Sequence, residues 1–440
     1  MSSALDDSTH FLGSPSTFAN VLDADGALAN REEWAEEADY DKNARKLDFE
    51  SHLRSLVLLH TTAYESARDL SWAAEEDLLF KALRADFDIS VRGFGGAMAG
   101  RPIEPYWEMF ERVQGAIANL PHQRLRGISG EEWSEVADLF GAVDLFDATQ
   151  VDLPPTLASW QETSEERSGF KLQLKLDGQD RQFKEALITT PDGNDNDYFS
   201  DLLGLEEKGA EGTDTGNSPS QEASQEASQE APHGDLYLFD CGYFSLDQYH
   251  RITDAGDSFV TKLHGNIAPQ HVCSRPVPET AADPDQNAAG YSVLEDQLVR
   301  LGDDRTDREG GNPGRWYRVL TVEVSTGEQI EVLTNLLWLE AEQICRLYKH
   351  RWSIEIVFRW IKDRMQLDRF ISRDPTGVVR QTLTALIVWG LLAIFNQGGE
   401  KGGEKGEFSP KKLWRKLQAA MHQALFDLGR RYQQSVDPPA

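Results

Sequence analysis

Between about residue 49 and residue 140, apolar positions recur at helical spacing. Leu53, Leu56 and Val57 share one face with His60, and Leu78, Leu79 and Leu83 form a second such group. Pro102 and Pro105 interrupt the pattern, and the run GFGGAMAG (93–100) reads as a loop. That run misses the dinucleotide-binding fingerprint because position 98 is Met. The stretch predicts a small helical domain.

The texture then changes. GAVDLFDATQVDLP (141–154) predicts a buried strand ending at Pro154, and FKLQLKLD (170–177) alternates with a period of two. QFKEALITT (182–190) follows as a third strand, with a helix expected near 196–205. DLYLFDCGYFS (235–245) runs from a strand into the helix SLDQYHRITDAG, and DSFVTKLHG (257–265) is a further strand. Residues 266–312 are rich in Pro, Asp and Gly, before the strand-like runs RWYRVLTVEV and QIEVLTNLL. One long helix is expected from Glu340 to about Leu367. Strands interleaved with helices in this order predict a mixed α/β fold.

Charge divides the 440-residue chain unevenly. There are 74 Asp plus Glu against 44 Lys plus Arg, a net of −30, and only 15 of the basic residues are Lys. An ordinary hydrophobic content of 40% excludes global disorder. An acid-rich, Lys-poor surface on such a core predicts life in concentrated salt, where screening relieves self-repulsion. Residues 340–440 carry a net of +6, so the first 339 carry −36. The basic quarter faces either an anionic partner or solvent. Residues 1–48 read as an acidic mobile arm, and the threefold SQEA repeat makes 206–234 a disordered insertion. Residues 399–440 form a basic tail around FSPKKLWRKL.

Cys241, Cys273 and Cys345 are too scattered for a disulfide framework or a zinc site. The first residues lack a basic-then-apolar leader, and the uncharged stretch 381–399 has an apolar centre of only 13 residues. A membrane span needs about 20. A soluble, cytoplasmic protein with a buried core helix at 381–399 is expected.

Two acids lie inside apolar strands: Asp147 in LFDAT and Asp240 in LYLFDCGY. Burying a carboxylate is costly without a cation or partner, so the pair is a candidate divalent-metal site. The late helix adds a polar stripe. With Tyr348 at zero and about 100° per residue, Arg351 falls near 300°, Glu355 near 340° and Lys362 near 320°. Arg359 lies beside them, and Ile354, Val357, Phe358 and Ile361 occupy the other side. Such a stripe either faces a cleft or forms an internal salt-bridge ladder.

The spacing Tyr348–x2–Arg351–x3–Glu355–x6–Lys362 resembles the Tyr-Arg-Glu-Lys signature of the insertion-sequence-4 family of DDE transposases. LTNLL (333–337), LYKHRWSIE (347–355), LFDAT (145–149) and FDCGY (239–243) resemble the flanking motifs of that family, over roughly residues 140–395. The resemblance implies an RNase H-like catalytic domain (141–265 and 338–398) with a β-rich insertion (266–337). It implies an N-terminal helical domain (49–140) that helps bind DNA ends, although no helix-turn-helix or zinc motif stands in it. Carried across, Asp147, Asp240 and Glu355 are the catalytic acids and hold two Mg²⁺ or Mn²⁺ ions, with Asp144 the alternative first acid. Tyr348, Arg351 and Lys362, with Arg359 beside them, meet DNA phosphates, and Trp316 stacks on a flipped base. The implied activity is cut-and-paste transposition of an insertion sequence, expected in a haloarchaeal host. Its implied partners are double-stranded terminal inverted repeats and target DNA, bound by a synaptic homodimer. The alternatives are an inactive DNA-binding relic, another RNase H-fold nuclease or an acidic scaffold.

Overall fold

The computed structural model describes residues 31–42, 46–61, 64, 66–76, 90–118, 136, 139–153, 169–178, 182–204, 233–282, 291–301, 315–324, 326–365, 367 and 369–398. The acidic arm up to residue 30, Leu78, Leu79 and Leu83, the SQEA repeat and the basic tail lie outside them.

Nine strands form one mixed sheet. They are β1 (Val143–Asp152), β2 (Gly169–Asp177), β3 (Phe183–Thr189), β4 (Leu236–Phe239), β5 (Ser258–Lys262), β6 (Gln270–Ser274), β7 (Tyr291–Arg300), β8 (Tyr317–Val324) and β9 (Gln329–Thr334). Their order is β3-β2-β1-β4-β5-β9-β8-β7-β6. β1 is antiparallel to β2 and parallel to β4, and β4 is parallel to β5. β5 then pairs antiparallel with β9, so the β-rich stretch continues the central sheet. The stretch 266–312 holds more order than its composition predicts. It supplies β6, exposed along its length, and the ten-residue β7, whose pattern is broken by a bulge between Val293 and Glu295.

Alternation along the central strands gives the sheet two apolar faces. Val143 and Leu145 of β1, with Leu236 and Leu238 of β4, join one core. Phe146, Tyr237 and Phe239 join another, with Phe199, Tyr243, Tyr249 and Phe259. The second core is covered by two helices, α6 (Phe199–Leu203) and α7 (Leu246–Asp254). The N-terminal helices are α1 (Arg31–Glu37), α2 (Phe49–Thr61), α3 (Ala67–Glu76), α4 (Val91–Gly100) and α5 (Glu104–Ala118). A short α8 (Glu279–Ala282) precedes β7, and α9 (Ala341–His350), α10 (Trp352–Arg364) and α11 (Pro375–Gly398) follow β9. The core residues of α9–α11 and of the N-terminal helices belong to the first face.

The glycine run is helix α4, not a loop. Ser90 caps it by accepting the Gly93 N–H, and Phe94, Ala97 and Met98 are buried. Arg380 of α11 donates to the carbonyls of Ala97, Met98, Arg101 and Pro102, satisfying the end of the helix. Packing thus overrides the weak propensity of four glycines. The apolar centre of α11 is buried, as at Leu386, Val388 and Trp389. Among the described residues no helix is long and apolar enough to cross a membrane.

The expected long helix is two. α9 ends at His350 and α10 begins at Trp352, and the N–H of Arg351 turns to the carbonyl three residues back. Because Arg351 keeps right-handed helical backbone angles (φ −49°, ψ −33°), the rotation of the side-chain stripe carries across the break. Ile354, Val357, Phe358 and Ile361 are all buried.

Candidate active site

Asp147 and Asp240 are brought together by strand register. β1 and β4 pair in parallel up to Phe146 and Phe239, so one step further sets Asp147 beside Asp240 where β4 ends. Both follow the alternation of Leu145 and Leu238, which puts them on the side of the sheet where α9 and α10 pack. Asp144 stands one residue off that parity. It is held by Lys184 at 2.5 Å and Lys175 at 3.6 Å, away from Asp147. Its strand position therefore separates it from the group around Arg351.

Glu355 approaches from the first turn of α10. The Arg351 guanidinium lies between the acids. Nη1 donates to Asp147 Oδ2 at 3.4 Å, and Nη2 to Glu355 Oε1 at 2.9 Å. Its Nε has no hydrogen-bond partner among the described residues. Its Cζ is 5.8 Å from the centroid of the Tyr348 ring, which is buried at the end of α9.

Burial pushes the Asp147 carboxyl up to about 7, with the nearby charges of Asp240 and Glu355 acting in the same direction. Arg351 and the N–H of Ala148 oppose the shift without cancelling it. Burial likewise raises the Tyr348 hydroxyl to about 12. Two carboxylates therefore share one guanidinium. Asp240 lies within its field, with Lys262 set beside it by the register of β4 and β5, so three acids meet two cations and the site is short of positive charge. Hard carboxylate oxygens with such a deficit fit a divalent cation. Among the described residues, no three His, Cys, Asp or Glu side chains are gathered closely enough to form a ready metal cage.

The other residues of the stripe are spread along α10. Lys362 donates from Nζ to the Gln150 carbonyl at 2.5 Å, beside the strand that carries Asp147. Arg359 is exposed on the same helix. Trp316 is not brought to the acids. It lies just before β8, and Arg300 at the far end of β7 sits over its ring at 4.7 Å. Tyr291, at the other end of β7, is the residue whose charge field reaches Tyr348 and Arg351. Ten residues at about 3.3 Å each leave roughly 30 Å between the two ends.

Two tyrosines border the site without having been singled out in the sequence. Tyr243, inside FDCGY, is buried and donates to Gln173 Oε1 at 2.5 Å, and burial with the charges of Asp147, Asp195 and Asp240 raises its hydroxyl. Gln173 donates on to Asp195, which also holds Lys171 at 3.0 Å. A Cβ on Gly242 would meet Asp195 Oδ2 at 3.1 Å, so a larger residue in the turn after Asp240 requires the Asp195 side chain to give way slightly. Tyr243 could have been read from its motif, whereas nothing around Tyr291 marks it in the sequence.

Residues 143–391 match the model of the transposase DDE domain. The chain belongs to that family. The DDE domain covers both acid-bearing strands, the β-rich stretch and all of α9 and α10. Three curated proteins named as transposases resemble parts of the chain. One from Sinorhizobium fredii is 34% identical over 161 residues, 37% of this chain and 42% of that protein. Another, named for an insertion sequence element of Geobacillus stearothermophilus, is 25% identical over 35% of this chain and 37% of its own length. The third, named for an insertion sequence element of a Synechocystis species, is 21% identical over 37% and 42% respectively. The matches thus span less than half the length of these relatives. Among solved structures, a piggyBac transposase synaptic complex with hairpin DNA is similar at a TM-score of 0.47 and 10% identity. That alignment covers 97% of this chain and 82% of the other.

Proposed function

We propose that this DDE-domain protein is a cut-and-paste DNA transposase of the insertion-sequence-4 type, with Asp147, Asp240 and Glu355 as its catalytic acids. The observation that carries the reading is Arg351 held between Asp147 and Glu355, with Asp240 beside them at a charge-deficient strand end. The sheet around β1, antiparallel on one side and parallel on the other, supports an RNase H-like domain.

Asp147, Asp240 and Glu355 would hold Mg²⁺ or Mn²⁺, two ions in this reading. Bound there, such ions activate an attacking oxygen and stabilise a leaving one in phosphoryl transfer. The chain's own residues position the DNA. Arg351 offers a planar fork to a phosphate, Lys362 a point charge about three turns along the same stripe, and the Tyr348 ring lies 5.8 Å from the guanidinium carbon. No covalent enzyme intermediate is required, since water attacks first and the freed 3′-hydroxyl of the element later attacks target DNA. A synaptic homodimer pairs the two ends. The net charge of −30 supports a saline host and cytoplasmic action at high salt.

The test is strand cleavage of double-stranded DNA carrying the element's own inverted repeats, with Mg²⁺ in molar salt. Wild type and Glu355→Ala run side by side. Cleavage at the ends by wild type alone is expected. Equal cleavage by both removes Glu355 from the catalytic acids. Binding without cleavage by wild type leaves an inactive relic.

A further inference from the structure

Arg351 has two incompatible partners in this reading. Its guanidinium is engaged with the acids, yet the same group is the planar fork that meets DNA phosphate. We propose that Arg351 is the built-in counter-cation of the Asp147–Asp240–Glu355 site, so that divalent-metal binding is suppressed until DNA phosphate draws the guanidinium away. The proposal rests on the metal-site reading above and adds an order of assembly to it.

The contacts argue for a replaceable occupant. Arg351 gives a single N–H to each of two acids, at 3.4 Å and 2.9 Å, rather than a paired fork to one. Its Nε is buried and unpartnered among the described residues. A buried, unpaired N–H is costly, and phosphate can accept two parallel N–H bonds at once. The groups facing it come from five elements: Asp147 on β1, Asp240 after β4, Tyr291 on β7, Tyr348 on α9 and Glu355 on α10. Three of these are acids, and with Lys262 of β5 set beside Asp240 by strand register, two monovalent cations still offset only part of their charge. When the guanidinium moves to phosphate, the acids lose this cation and a divalent ion gains a more negative site. Metal and DNA then favour each other by one shared factor, as linkage requires. The break between α9 and α10 at Arg351 sets this side chain at a helix junction, where small backbone changes can redirect it.

The experiment measures Mn²⁺ binding to the full, DNA-free chain by calorimetry and by the free-ion electron paramagnetic resonance signal. Wild type, Arg351→Met, Arg351→Gln and Asp147→Asn are compared, with thermal unfolding run on each. Arg351→Met keeps the stem and removes the charge, and it is expected to bind Mn²⁺ at least tenfold more tightly than wild type. If Arg351→Met does not fold, Arg351→Gln decides, because it removes the charge while its amide can still donate to one of the acids, and a severalfold gain is expected. Unchanged or weaker Mn²⁺ binding in the folded arginine variant, with binding still lost in Asp147→Asn, overturns the counter-cation role and leaves the metal site standing. Mn²⁺ binding that is absent from every protein, or indifferent to Asp147→Asn, removes the metal site itself and the proposal with it.

Discussion

Arg351 and Arg318 are both buried arginines facing aspartate, and they are built in opposite ways. Arg318 forks onto Asp296 at 2.8 Å and 2.6 Å, and its remaining Nη1 donates to the Leu339 carbonyl. Each side chain of that pair is 2% exposed, and Arg275 adds a second cation to Asp296 at 3.8 Å. Every group is matched, and the pair ties β7 and β8 to the segment leading into α9. Arg351 splits its N–H groups between two acids, leaves Nε unpartnered among the described residues, and faces a third acid. A completed pair resists change, whereas an incomplete one keeps capacity for another ligand. The contrast separates a completed ion pair from the incomplete one on which the proposed site rests.

The sharpest break of that comparison is a truncation on each side. Asp147→Ala or Glu355→Ala is expected to lower end cleavage about a thousandfold or more, since several kcal/mol of charge stabilisation are lost. The fold and much of the DNA binding are expected to survive, as seen by circular dichroism and a gel-shift assay. Arg318→Ala is expected to act the other way, costing about 3–5 kcal/mol of stability by leaving Asp296 buried with its main partner gone. Denaturant unfolding reads it directly. Replacing both partners, Arg318→Met with Asp296→Leu, is expected to recover most of that loss. If the double variant is no better than the single one, the Arg318 pair is more than a structural tie.

How much of this could be read from the sequence depends on what each feature requires. The clustering of the acids was legible because an Asp inside LFDAT or LYLFDCGY violates its apolar surroundings, and Tyr348, Arg351, Glu355 and Lys362 share a helical face. The motif LFDAT favours Asp147 over Asp144, and strand parity adds that Asp144 turns toward Lys184, away from Arg351. Helix α4 was illegible because its stability comes from Ser90 and from Arg380, almost 300 residues away in sequence. β7 was hidden by its bulge and by the turn-forming residues around it. Trp316 shows the limit of reasoning by resemblance: its place in chain order fits, while its position just before β8, under Arg300, sets it apart from the acids.

A smaller effect tests what incompleteness costs. The Asp147 carboxyl sits at about 7 in the fold, against a free value near 3.9. The folded chain therefore binds this proton more readily than the unfolded chain. Stability falls as pH rises from about 4 to about 7, and the loss is complete above that. Asp147→Asn lacks the titration. In the metal-free protein it is expected to be more stable than wild type by about 2–4 kcal/mol at pH 8, with the gap closing toward pH 4. Thermal unfolding across that range gives the answer, and a gap independent of pH would remove the burial argument.

Lys362 gives the mildest test, because it lies between the two extremes. Its ammonium donates to the Gln150 carbonyl of β1. Arg351 instead bonds two of the acids directly, so Lys362→Ala should leave DNA-free Mn²⁺ binding unchanged. Losing one phosphate contact should weaken binding of the element's ends severalfold, about 1 kcal/mol, and reduce the salt dependence of log K by about 0.9. A salt titration of end binding, comparing wild type with Lys362→Ala, measures both quantities. An unchanged slope would return Lys362 to the structural class of Arg318, as a tie between α10 and β1. A reduced slope with unchanged Mn²⁺ binding would place the phosphate contact on Lys362 and the metal coupling on Arg351, two jobs that the stripe of α10 keeps on different residues.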